Sequence, residues 1–240
     1  MEMLCYGSLL QSLLLMPLCL GLYLTYRVMN VTDLTVEGTF VLGAAVFARL
    51  VSVHVNQEVA MLMGVMAGGA LGACVAVMQR VARLEPLITS ILALFMLFSI
   101  NYAVMGRPNI SLLSLPMTLQ ALQLQHPTDL LLVLLGVSGL CVSVVMLLLR
   151  SDVGMLMRAF GDNRAVLLSL RKNPFLLLLL GMALSNGLAA LSGMMTAEMN
   201  GYADVNMGYG VALTSIGAMI IGMTTVRQIR GAGRSYHAAI

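Results

Sequence analysis

Few side chains in this 240-residue chain could carry out chemistry, and none stands in a reactive arrangement. An HExxH motif would place two zinc ligands and a general base on one helix face, and the sequence contains none. Its three histidines, His54, His126 and His237, lie near the ends of apolar runs or in connectors, where an interfacial side chain is the ordinary reading. An aspartyl protease working inside a membrane needs two aspartates within spans, whereas Asp162 follows Gly161 in a water-facing, arginine-rich stretch. No GxxxxGK[ST] segment is present to cradle a nucleotide, so ATP-driven work falls to another chain. Cys5, Cys19, Cys74 and Cys141 sit in apolar runs without CxxC or Cys/His spacing and read as small core residues. The 21 methionines suit adaptable packing, and Met194–Met195 alone is a weak basis for thioether–metal chemistry. No catalytic residue, metal site or cofactor of the chain's own is expected.

What remains are polar groups that could bind. The hinge NVTDLTVEG, Asn30 to Gly38, brings Asp33, Glu37 and Gly38 to the start of an apolar run. Asn101 lies inside another, where an unpaired amide in hydrocarbon is costly, so it either bridges helices or lines a pathway. Glu198 closes one apolar run, and Asp204 and Asn206 open the next, so polar groups gather at the outer ends of two spans. Such a gathering fits a substrate vestibule, although ordinary wet span ends are the favoured reading of it. Ionisable groups near membrane depth are functional candidates by default.

The elements that must position these groups are membrane helices. A chain that is 60% hydrophobic and 10% charged, with no tryptophan and a mean hydropathy of +0.95, has no soluble globular counterpart. Apolar runs of about 20 residues are what a bilayer requires. They can be drawn at Met3–Tyr26, Thr39–His54, Val59–Met78, Pro86–Met105, Leu130–Leu149, Pro174–Ala197 and Val205–Thr225. The expected fold is an all-α polytopic bundle of about seven membrane segments in one domain, residues 1–240. Thr39–His54 is short, carries Arg49 and follows the polar hinge, so a broken or re-entrant helix is expected there. Gly64, Gly68 and Gly72 form a stripe that lets a neighbouring helix approach closely, and Gly181, Gly187 and Gly193 suit packing or kinks.

Charge orients the bundle. Arg150, Arg158, Arg164, Arg171 and Lys172, five of the thirteen basic residues, crowd into one short loop, which the positive-inside rule places in the cytoplasm. Alternation then puts Arg80–Arg83 inside, and with it the tail carrying Arg227, Arg230 and Arg234, provided the last run crosses fully. The Glu198–Asp204 loop, the Arg107–Asp129 connector and the N-terminus fall outside. The loop also reads as folded: Ser151 and Asp152 can cap one short helix, Gly161 can end it, and Asp162 or Asn163 can cap a second. A plain tether needs none of this. Basic and aromatic residues are not interleaved, so nucleic acid is excluded and lipid and protein are the expected partners.

Several strings, in order, resemble the permease family of bacterial ABC importers that includes the branched-chain amino acid and ribose systems. They are DLTVEGTFVLGAAV from Asp33, SINYAVMGRPNISLL from Ser99, the loop from Gly154 through Arg158-Ala159-Phe160-Gly161-Asp162-Asn163, LSNGLAALSG from Leu184 and GYADVNMGYG from Gly201. The resemblance implies a transport subunit of the bacterial cytoplasmic (inner) membrane, paired with a second identical or paralogous permease chain. It also implies ABC ATPase subunits that bind the ATP, and a periplasmic or lipid-anchored binding protein that delivers a small solute, amino acids among those of the subgroup. Within residues 150–173, Arg158, Ala159, Gly161, Asp162, Asn163 and Arg164 become the ATPase-coupling segment. Asp33, Glu37, Gly38, Asn101, Glu198, Asp204 and Asn206 become the substrate pathway. Members of that family usually continue beyond the Gly222 region with a further span, so the usual last helix is expected to be missing here. A secondary transporter or channel, or a membrane subunit that no longer moves a solute, is the alternative. Internal repeats and midplane carboxylates would mark the first of these.

Overall fold

Long apolar stretches form helices in this chain because in lipid every backbone polar group must be satisfied within its own segment. A computed structural model describes residues 2–113, 115, 117–125 and 127–237. Helix α1 (Glu2–Leu22) continues through a π-helical turn, Tyr23–Val28. There follow α2 (Thr35–Ser52), α3 (Gln57–Ala82), α4 (Pro86–Met105), β1 (Asn109–Ser111), α5 (Thr118–Gln125) and α6 (Pro127–Arg150). The chain goes on through α7 (Asp152–Asp162), α8 (Arg164–Ser169), α9 (Pro174–Asn200), β2 (Tyr202–Asp204) and α10 (Val211–His237). Boundaries follow local chemistry. Asn56, Ser151 and Asn173 cap α3, α7 and α9 through their side chains, and Pro86 and Pro174 occupy first-turn positions where a missing N–H costs nothing. Gly106 and Gly201 end α4 and α9 in left-handed backbone.

Six helices among the described residues are long and apolar enough to span: α1 with its π turn, α2, α3, α4, α6 and α9. The seventh expected run differs. Residues 205–210 form turns, and the apolar part of α10, Val211–Thr225, is shorter than a span.

Helix α9 is the axis on which α1, α2 and α3 pack. Lipid tails give no hydrophobic drive between helices, so close backbone approach through small residues supplies the attraction. A methyl group on Gly43 would meet the Ala190 carbonyl, one on Gly193 the Phe40 carbonyl, and one on Gly72 the Met182 carbonyl. The glycine stripe of α3 is thus a packing face against α9.

The break expected at Thr39–His54 falls before that helix, which is continuous from Thr35. Residues 29–34 are the unwound stretch. They lie well inside the bundle, because Thr35 bonds to Asn186, which stands about 18 Å along α9 from Pro174 at 1.5 Å per residue. Helix α2 therefore starts near the middle of α9 and runs toward the end of the bundle that bears β1 and β2. Strands β1 and β2 pair antiparallel, Asn109 opposite Asp204, and tie the end of α4 to the end of α9. The bundle thus has two ends: the paired strands mark one, while Arg80 lines a cavity with Phe160 and Asn173 at the other.

Candidate functional site

Two helix N-termini meet inside the bundle, and each needs an acceptor for its free N–H groups. Asp33 serves α2: its Oδ1 accepts from Thr35 N at 2.9 Å and from the Thr35 hydroxyl, and its Oδ2 from Asn186 Nδ2 at 2.9 Å. Asn186 Oδ1 in turn accepts from Thr39 Oγ1 at 2.7 Å and Thr35 Oγ1 at 3.2 Å. All four residues are buried. Glu37 serves α10, its Oε1 accepting from Ala212 N at 3.2 Å.

Glu37 also borders a cavity of about 170 Å³ between α2, α4 and residues 205–209. Gly38, Phe95, Phe98, Asn101 and Tyr209 are among its walls. Asn101 bridges helices, one of the two readings its sequence position left open, and also lines this cavity. Its Nδ2 donates to the Gly38 carbonyl at 3.0 Å, bridging α4 to α2, while its buried Oδ1 has no hydrogen-bond partner among the described residues. The cavity is therefore largely aromatic and apolar, with one carboxylate and one bare amide oxygen, the mixture typical of small-molecule sites.

The structure brings Glu37, Gly38 and Asn101 together and sets the other pathway candidates apart. Asp33 is sealed in the Asn186 network. Glu198 is fully buried at the end of α9 that bears the paired strands, where Oε1 accepts from Gln57 Nε2 and from Leu119 N at 2.9 Å. It thereby holds the start of α5 against α9 and α3. Asp204 accepts from Asn206 N at 2.8 Å and Asn109 Nδ2 at 3.3 Å, which shapes the turn after β2, and Asn206 is exposed on that turn.

At the opposite end, α7 and α8 are as folded as their caps suggest. Ser151 accepts from Gly154 N, and Asn163 Oδ1 accepts from Ala165 N at 2.9 Å, opening α8. Gly161 does not end α7, which runs through Asp162; a methyl group there would meet the Val28 carbonyl, so the glycine permits contact with the π turn of α1. Arg158 turns back to donate to the Leu149 carbonyl at the end of α6. Met157, Phe160 and Leu167 are buried against Met29, Leu177 and Met182, whereas Met155 and Leu168 are 64% and 65% exposed. Ala159 is half-buried and Asp162 exposed; the side chain of Arg164, like His126 and the side chains of Arg227, Arg230 and Arg234, lies outside the described residues.

Asn186 is the residue that sequence reading missed. The signal was present, because an amide inside the apolar run of α9 invites the argument applied to Asn101. Phe98 and Tyr209 carried none, since an aromatic side chain in an apolar run reads as core or lipid contact.

The family described as branched-chain amino acid transport system, permease component, matches residues 5–235. An uncharacterized protein of Rickettsia prowazekii (strain Madrid E) is 48% identical over 212 residues, 88% of this chain and 74% of that protein. A protein named as a tyrosine transport system permease, from Clostridioides difficile (strain R20291), is 31% identical over 218 residues, 91% of this chain and 72% of that protein. No solved structure matches. With its six span-length helices and these relatives in agreement, the chain is a multi-pass membrane transport subunit and belongs to the branched-chain amino acid transport system permease family.

Proposed function

We propose that this chain forms the translocation pathway of an ATP-binding cassette importer in a bacterial inner membrane. In this reading it works beside a second permease chain, identical or paralogous. It binds no ATP itself; ATPase subunits dock on residues 150–173, and an external binding protein, periplasmic or lipid-anchored, delivers the solute. The observation that carries the reading is the build of α7 and α8. Phe160 and Met157 anchor them among the ends of the spans, while Met155 and Leu168 stand outward as apolar side chains in a loop full of arginine. A partner protein gives those side chains a reason to be exposed. A rigid capped helix seated in that partner can pass a movement on to α1, α6 and α9, which a loose tether cannot.

An amino acid is the proposed solute. The 31% identical relative is named for tyrosine, and the cavity offers a carboxylate and an amide oxygen for an ammonium group beside Phe95, Phe98 and Tyr209 for an apolar side chain. Co-purification in mild detergent tests the assembly. An ATPase carrying a P-loop should accompany the wild-type chain and be lost from the M155E/L168E variant, with the helical content unchanged. An ATPase retained by that variant, or absent from both, overturns the docking assignment.

A further inference from the structure

A second cavity, about 360 Å³, lies at the basic end of the bundle between the end of α3 and the starts of α4 and α9. Its walls include Gln79, Arg80, Leu84, Asn173 and Phe175. Gln79 is only 6% exposed, and its Nε2 has no hydrogen-bond partner among the described residues. A buried donor left bare costs free energy unless something outside the chain accepts from it. Arg80 stands 4.4 Å from the centroid of the Phe175 ring, a cation–π contact that fixes the guanidinium beside the same cavity. Pro86 and Pro174, the first residues of α4 and α9, also line it, so two helix N-termini with their partial positive charge converge there. No carboxylate is among its lining residues. The bordering segments, residues 79–86 and 171–173, carry Arg80, Arg83, Arg171 and Lys172 against the single acid Glu85.

A bare buried amide beside positive charge, with no carboxylate among the described lining residues, calls for an anion. The surface next to the cavity says which kind. Val77, Val81, Leu87 and Ile88 are exposed on the last turns of α3 and the first turns of α4, with Val81 at 77%. These are positions at the end of spans, where acyl chains lie. We propose that the cavity is a binding site for the headgroup of an anionic phospholipid, with Gln79 and Arg80 donating to the phosphate and the acyl chains lying against Val77, Val81 and Ile88. Basic pockets between membrane helices on the positively charged side hold anionic headgroups by this chemistry.

The chain has no tryptophan, so L84W places a single fluorophore at the cavity. The full-length L84W protein is reconstituted in vesicles containing equal fractions of brominated phosphatidylglycerol or brominated phosphatidylcholine. Quenching should be at least about twofold stronger with the anionic lipid, and the preference should vanish in L84W/Q79L and in L84W/R80Q. Quenching by phosphatidylcholine confirms in each sample that the variant is inserted. Equal quenching by the two lipids in L84W, or a preference that survives both variants, overturns the proposal. A preference abolished by millimolar inorganic phosphate reassigns the cavity to a free anion. Loss of a co-purifying ATPase from R80Q with the lipid preference intact reassigns it to the protein partner.

Discussion

Asn101 uses one end of its amide and leaves the other bare. The bond from Nδ2 to the Gly38 carbonyl stabilises the α2–α4 contact by about 0.5–1.5 kcal/mol, and the orphaned Oδ1, without a partner among the described residues, costs about 1–3 kcal/mol. An apolar side chain of similar size is therefore close to neutral for folding. N101L is expected to keep the melting temperature of the purified chain within about 3 °C and to lower uptake in proteoliposomes at least about tenfold. A variant that fails to fold would assign Asn101 to packing alone, and one that transports normally would remove it from the pathway. Asp33 presents the opposite case, because every donor around it is paired. D33N keeps an acceptor for Thr35 but turns an amide N–H2 toward Asn186 Nδ2, so its thermal melt should fall by the cost of one unsatisfied donor, about 1–3 kcal/mol. D33A strands the donors of Thr35 and Asn186 and should lose about 1–3 kcal/mol for each one left unsatisfied.

Helix α7 touches the π turn of α1 through Gly161, and that contact joins the basic loop to the hinge before α2. G161V pushes α7 off the Val28 carbonyl. The expected result is ATP hydrolysis by the assembled complex with uptake reduced at least about tenfold, and membrane insertion unchanged. Undiminished uptake would sink the coupling role. The helices themselves were legible in the sequence because span length and composition admit little else, and so was the capped loop, since Ser151 and Asn163 cap through local bonds. The starts of α2 and α10 were not. Thr35 begins a helix because Asp33 and Asn186 meet it, and Val211 begins one beside Glu37, a residue 175 positions away from Ala212. Hydropathy along the chain carries no trace of the distant partners, Asn186 for α2 and Glu37 for α10, and the last apolar run was drawn six residues too early, at Val205 instead of Val211. The candidate site was half legible for the same reason. Polar residues in apolar runs could be picked out singly, but only the fold divides Glu37 and Asn101, which share a cavity, from Glu198, which caps α5.

At the scale of the molecule, the two ends of the bundle carry different chemistry, and sidedness can be measured directly. In a background where Cys5, Cys19, Cys74 and Cys141 are replaced by serine, N200C should react with a membrane-impermeant maleimide in intact spheroplasts. A165C should react only after the membrane is opened. The reverse pattern would invert the topology. The buried network around Asn186 has a further consequence, for the order in which the molecule can be made. Asp33 leaves the ribosome 153 residues before the amide that binds it. Until α9 is synthesised, Thr35, Thr39 and Asp33 lack the surface that lets a chain begin a helix at half depth. The second helix must then wait in a provisional position while more than half of the protein is added. A nascent chain arrested at Asn173 should leave a cysteine at Val31 open to a thiol reagent, whereas in the finished protein that position, 1% exposed, should be protected. The centre of this protein is begun early and completed late.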